Sequence, residues 1–258
     1  MFTLHLPINE NQKLSQVIEQ LKKTNVDRYW RSSNVNSIDR LGMNDHGPTH
    51  VKIVANSALR ILRILAQKNI IPSVVKNYQL KHEDAEVIVV LGALLHDIGM
   101  VIHRQNHEFL STILAQQIIE KAVNNVYNSD EQEIIKFEVL HTIYCHEPNT
   151  VPFTIEGGVV KVADALDMEQ GRARIPFKFG KVTIHSVSAM AIKQVIITED
   201  EDRPLKITIK MSNPAGIFQV DELLRDKIQT SGIEKLIKVK AVLDKNGQEE
   251  VLKTYKLD

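Results

Sequence analysis

Along the first two thirds of the chain, apolar positions recur with a helical period. Between Asn11 and Lys23 they fall at Leu14, Val17, Ile18 and Leu21, which is one face of a helix. Tyr29 to Gly47 is polar, rich in Ser, Asn and Arg, and reads as a connecting segment. Pro48 stands where the next helix opens, with Asp45 upstream as a candidate cap. Val51, Val54, Ala58, Ile61 and Leu65 carry that helix to about Gln67. Further helices are predicted over about Glu83 to Asp97, Glu108 to Val123 and Ser129 to Cys145. Glu83 and Asp84 are the acidic residues that suit a helix N-terminus. Pro148 and Pro152 break the pattern, and a last helix of this part is expected from about Gly158 to Gln170, stopping at Gly171.

After Pro176 the period changes to two. Val182–His185, Ile192–Thr198, Leu205–Met211, Ile237–Leu243 and Val251–Leu257 are predicted strands, and Val220–Thr230 a helix. Asn246-Gly247 is a favoured two-residue hairpin turn. The expected architecture is mainly α: a helical bundle over 1–177 followed by a small α+β C-terminal domain over 178–258.

Size and composition narrow the function classes. A chain of 258 residues buries a sizeable core. Acidic and basic residues balance at 32 each, so no overall field favours an extended polyanion and nucleic acid is not an expected partner. The longest strongly apolar stretch, Val87 to Leu95, is far short of the roughly 20 residues that span a bilayer, so no membrane partner is expected either. The single cysteine, Cys145, excludes an internal disulfide framework and fits a reducing compartment; with no leader pattern at the start, a cytoplasmic location is expected.

The chemistry lies in polar groups placed on apolar helices. Most histidines fall between residues 46 and 146, near predicted helix ends. In Leu94-Leu95-His96-Asp97-Ile98-Gly99 an apolar helix delivers an imidazole and a carboxylate at its C-terminal end. A buried carboxylate is costly unless paired, hydrogen-bonded or bound to metal. The plain alternative is a His–Asp pair that caps the helix. Asp45-His46-Gly47-Pro48-Thr49-His50 opens an earlier helix, with His50 the better ligand candidate and His46 a surface or supporting residue. Asp164 lies between valine, alanine and leucine in Val162-Ala163-Asp164-Ala165-Leu166-Asp167, and Asp167 one turn later suits a supporting role. Two imidazoles and two carboxylates suit a divalent Mn, Fe, Co, Ni, Zn or Mg ion.

His50, then His96-Asp97, then Asp164 in Val-Ala-Asp resembles the H…HD…D signature of the HD-domain superfamily of metal-dependent phosphohydrolases, over about residues 40–176. The resemblance implies a helical bundle that hydrolyses a phosphomonoester, phosphodiester or triphosphate, most often of a nucleotide. Some branches hold two metals, and the resemblance implies His107 and His146 as ligands of a second ion, with Asp97 bridging; one or two metals per chain are thus expected. Met100 replaces the lysine that often follows His-Asp-x-Gly, and no Gly-Tyr-Pro motif is present, so cyclic-dinucleotide phosphodiesterase activity is not expected. Arg104, Lys161, Arg172 and Arg174 are candidates to hold the substrate phosphate, against the plainer reading of each as a structural ion pair. The expected mechanism is in-line attack by metal-activated water, with Asp97, His107 or His46 as general acid or base. The alternative is a non-catalytic nucleotide sensor or scaffold built on the same fold. The C-terminal segment carries no catalytic constellation and reads as an oligomerisation or regulatory module, giving an expected homo-oligomer.

Overall fold

The computed structural model describes residues 6–8, 10–171, 184–245 and 248–256. Its helical part comprises α1 (Gln12–Leu21), α2 (Val26–Asn34), α3 (Pro48–Gln67), α4 (Ser73–Tyr78), α5 (His82–Leu95), α6 (His107–Val123), α7 (Ser129–Tyr144) and α8 (Ile155–Ala165). The architecture is that expected, mainly helical with a C-terminal sheet. The axis of the bundle is α5. Every residue from Val87 to Leu95 is buried, and a helix that is apolar all round belongs at the centre of its neighbours, here α1, α3, α7 and α8. Gly92 permits that closeness: a Cβ there would overlap Thr142 Oγ1 of α7 and lie 3.5 Å from Val160 of α8. Among the described residues no helix is long and apolar enough to cross a membrane.

The segment expected to be a connector is instead α2, continued by a π-helical turn over Val35–Arg40. Its polar side chains make long-range bonds in place of an apolar stripe. The Trp30 indole donates to the Leu94 carbonyl (2.7 Å), and the Asn36 amide donates to that of Met100 (2.6 Å). Asn34 accepts from the His46 amide (2.9 Å) and donates to Asp45 (3.1 Å). Asp45 in turn accepts from the Gly47 and His50 amides, satisfying donors at the start of α3 as its position suggested. Helix α4 is short and lacked a sequence signature; the buried Glu156 carboxylate accepts from its Ser73 and Val74 amides. Helix α8 begins earlier than expected, at Ile155, because the Thr154 hydroxyl caps it through the Gly157 amide (3.1 Å).

Beyond residue 183 the chain forms α9 (Ile184–Met190), β1 (Ile192–Glu199), β2 (Leu205–Met211), a helical run α10 over residues 217–229, β3 (Ile237–Lys245) and β4 (Gln248–Lys256). The expected strand Val182–His185 is corrected: 182 and 183 lie outside the described residues, and Ile184 opens a helix. Four alternating residues are too few to set a strand against the hydrogen bonds that Ser188 makes with the Ile184 carbonyl and the Gln219 amide. The sheet order is β1-β2-β3-β4, antiparallel at both edges and parallel between β2 and β3. A parallel pair needs a crossover, and α10 supplies it. Lys245 pairs with Gln248 across the hairpin, whose tip Asn246-Gly247 lies outside the described residues. Leu205, Ile207, Ile209 and Met211 pair in register with Ile237, Val239, Ala241 and Leu243, and this apolar face joins the bundle's core continuously.

Candidate metal centre

Four helix ends meet at one point. The entry to α3 brings His50, the exit of α5 brings His96 and Asp97, the entry to α6 brings His107, and the exit of α7 brings His146. Gly99 makes the meeting possible, because its Cβ would collide with the His107 carbonyl and the Ser111 amide; Ser111 Oγ accepts from the Gly99 amide at 2.8 Å. Asp164 comes from the last turn of α8.

The imidazoles share one orientation. Nδ1 of His96 faces the Ala93 carbonyl (2.8 Å), Nδ1 of His146 the Ile143 carbonyl (2.6 Å) and Nδ1 of His50 the Asp167 carboxylate (2.6 Å). Nδ1 of His107 faces the Arg104 carbonyl (3.0 Å) and the Glu108 carboxylate (3.1 Å). For His50, His96 and His146 these oxygens only accept, so the ring proton belongs on Nδ1 and the Nε2 lone pair points inward, whereas Nδ1 of His107 also has the Arg104 guanidinium at 2.8 Å. Inside, Nε2 of His50 and His96 are 3.2 Å apart, and those of His107 and His146 are 3.3 Å apart. Asp97 stands between the pairs. Its Oδ2 lies 3.3 Å from both His50 and His96, and its Oδ1 lies 3.1 Å from His107 and 3.7 Å from His146. Asp164 Oδ1 closes the first group at 3.2 Å from His50.

This arrangement fits divalent metal. Lone pairs facing one another repel unless a cation lies between them, and the buried Asp97 Oδ2 has no hydrogen-bond partner among the described residues. Two donors each about 2.1 Å from one ion, at 90–110°, are about 3.0–3.4 Å apart. His50, His96 and Asp97 meet that spacing throughout; of Asp97, His107 and His146, the two contacts of His107 meet it and His146 lies slightly farther from Asp97, at 3.7 Å. The charges agree. Burial opposes ionisation of Asp97, but the surrounding imidazoles of His96, His46, His107 and His50 overcome it and hold the carboxyl well below its usual range. Burial, with the charges of His96 and His107, pushes His146 down to about 3, which keeps its ring neutral and able to ligate.

Above the centre is a cavity of about 410 Å³. His46 lines it outside both groups, with its Nδ1 on the Asn44 carbonyl and its ring centroid 5.7 Å from that of His50. Arg104 lines it too, its guanidinium against the His107 ring. Two expected phosphate contacts fare differently. Lys161 is corrected: it is fully buried, does not line the cavity, and gives all three ammonium protons to the Glu147, Pro148 and Thr150 carbonyls at 2.7–3.0 Å. It clamps the loop between α7 and α8. Arg172 and Arg174 lie outside the described residues. The reading that the C-terminal segment takes no part in the site is also corrected, because α10 forms one wall of the cavity and its Lys227 is ion-paired with Asp164 Oδ2.

A family model described as HD domain matches residues 48–169, the stretch holding all six candidate ligands. The chain is also 43% identical over 240 residues to the uncharacterized protein MJ1020 of Methanocaldococcus jannaschii, covering 92% of this chain and 93% of that one. A match this long cannot be confined to the helical bundle. The chain belongs to the HD-domain family, a superfamily of metal-dependent phosphohydrolases.

Proposed function

We propose that this chain hydrolyses a phosphate ester of a nucleotide or a related small phosphorylated molecule, using two divalent ions that share Asp97. The observation that carries the reading is the convergence of four imidazole Nε2 atoms on the two oxygens of one buried carboxylate, at the floor of a cavity. His50, His96, Asp97 and Asp164 would hold one ion, and Asp97, His107 and His146 the other. Divalent cations held there would supply Lewis acidity, lowering the pKa of a water molecule and neutralising charge on phosphoryl oxygens.

The remaining steps belong to side chains of this protein. Asp167 and the Ala93 and Ile143 carbonyls fix the His50, His96 and His146 rings by holding their Nδ1 protons, and Arg104 and Glu108 flank Nδ1 of His107. Arg104, on the cavity wall, is suited to neutralise a phosphate oxygen. Asp97 and His107 are engaged within the ligand groups, so proton transfer to the leaving group falls first to His46, which lines the cavity outside them. Manganese is the first ion to try, and a cytoplasmic homo-oligomer is part of the same reading.

The test is metal analysis of the purified protein followed by a panel of p-nitrophenyl phosphate, bis-p-nitrophenyl phosphate and nucleotides, each with Mn, Co, Ni, Zn and Mg. Metal-dependent release of phosphate or nitrophenol is expected. Metal and nucleotide binding with no turnover of any ester would replace this reading with that of a sensor.

A further inference from the structure

We propose that Lys227 of the C-terminal module binds the substrate's phosphoryl group, making that module an integral part of the site. The proposal rests on the phosphohydrolase reading of the same centre. Among the described residues, the cavity wall carries two cations, and they flank the centre from opposite groups. Arg104 lies against His107, in the second ligand group, and Lys227 is held on Asp164, in the first. A phosphoryl group resting over Asp97 is bracketed by both.

The ammonium of Lys227 has donors to spare. It offers three N–H groups, and Asp164 is its one acceptor among the described residues. Its side chain is 20% exposed, towards the cavity. Asp164 meets His50 and His96 with Oδ1 and Lys227 with Oδ2, so Lys227 keeps its anchor while the first group holds a cation. Lys161 shows the contrast, with every proton committed to carbonyls.

The local structure of α10 explains why this lysine faces inward. Its middle, Val220–Leu224, is π-helical. A four-residue step lags in the wider turn and runs ahead in the α turn that follows, so across the run residues four apart stay in nearly straight rows, and π turns are frequent at functional sites. One row, Val220, Leu224 and Ile228, is buried in the core; the next, Gln219, Leu223 and Lys227, lines the cavity. The end of the run is pinned to the bundle. The Thr230 hydroxyl donates to the Pro148 carbonyl (2.8 Å), and the Ser231 carbonyl packs so close to Gly158 of α8 that a Cβ there would lie 2.5 Å from it. The lysine is therefore delivered from a fixed support.

The experiment compares the full-length wild type with Lys227→Met, Lys227→Gln and Lys227→Arg, with thermal unfolding to establish that each is folded. Calorimetric titration with MnCl2, then of the Mn-loaded proteins with inorganic phosphate, gives both affinities. Mn binding is expected to persist in all three, since every ligand remains. Phosphate affinity is expected to fall roughly tenfold or more in the Met and Gln variants, the loss of one charge-assisted hydrogen bond, and to recover in the Arg variant. Unchanged phosphate affinity in the Met and Gln variants overturns the assignment. So does loss of Mn binding with no separate effect on phosphate, which would make Lys227 a support for Asp164 alone. Phosphate binding that depends on Lys227 in a wild type that turns over no ester would sink the hydrolase reading and leave this assignment standing.

Discussion

Asp97 is the residue whose loss separates a shared centre from two independent ones. Asp97→Ala removes Oδ2 from His50 and His96, and Oδ1 from His107 and His146. The first group falls from four ligands to three, and the second from three to two. A structural zinc held by four ligands is worth about 10–16 kcal/mol, so one ligand is worth about 3 kcal/mol, or roughly 100-fold in affinity. The second group, left with two neutral rings, is expected to lose more. After dialysis against low-micromolar MnCl2, elemental analysis should find two ions per wild-type chain and none in Asp97→Ala. His50→Ala and His146→Ala should each lose one ion, and Asp97→Ala should release no product from any ester the wild type cleaves. Two ions retained in Asp97→Ala, or both lost from His146→Ala, would refute the shared-carboxylate reasoning.

Other outcomes follow from the same geometry. Asp167→Asn weakens the acceptor on His50 Nδ1 and is expected to reduce Mn affinity of the first group about 10–100-fold, with the second ion unaffected, as read by calorimetry. Gly92→Ala gains up to about 1 kcal/mol of helix propensity but forces Thr142 out of place, so urea unfolding should show a net loss of about 1–3 kcal/mol. Adding Thr142→Ala should recover part of that loss, because the remaining contact, Thr142 Cβ at 3.1 Å, needs only a small shift. In the metal-free protein, burial opposes the charge on His107, but its contacts with Asp97 and Glu108 prevail and raise its pKa to about 9. The stabilisation from that proton is complete below about pH 6.5 and is lost as pH rises through about 9. Metal competes with the same proton, so Mn affinity of the second group should rise with pH up to about 9; a flat profile from pH 6 to 9 would contradict this.

The sequence made the candidate ligands legible because each of them breaks a local rule. His96, Asp97 and Asp164 are polar groups on apolar helices, and His50 and His107 open helices whose buried faces are plain in the spacing. Helix α2 was hidden for the opposite reason: it is held by Trp30, Asn34 and Asn36 bonding to partners far along the chain, and composition there resembles a loop. Lys161 misled because a lysine within Val160-Lys161-Val162 is compatible both with a phosphate site and with a buried clamp, and only the three carbonyls around it decide. Lys227 was invisible altogether. Its neighbours Arg225 and Asp226 read as a solvated helix face, and its partner Asp164 is 63 residues away. The one local hint, a helix whose apolar positions step by four without drifting, becomes meaningful only once the π turn is seen.

The enclosure of α5 has a consequence for how the protein loosens. A helix covered on every side exposes its amides to deuterium only when the bundle opens as a whole, so its exchange reports the global unfolding free energy. His96 and Asp97 end that helix, and the centre is therefore anchored to the part of the molecule that melts last.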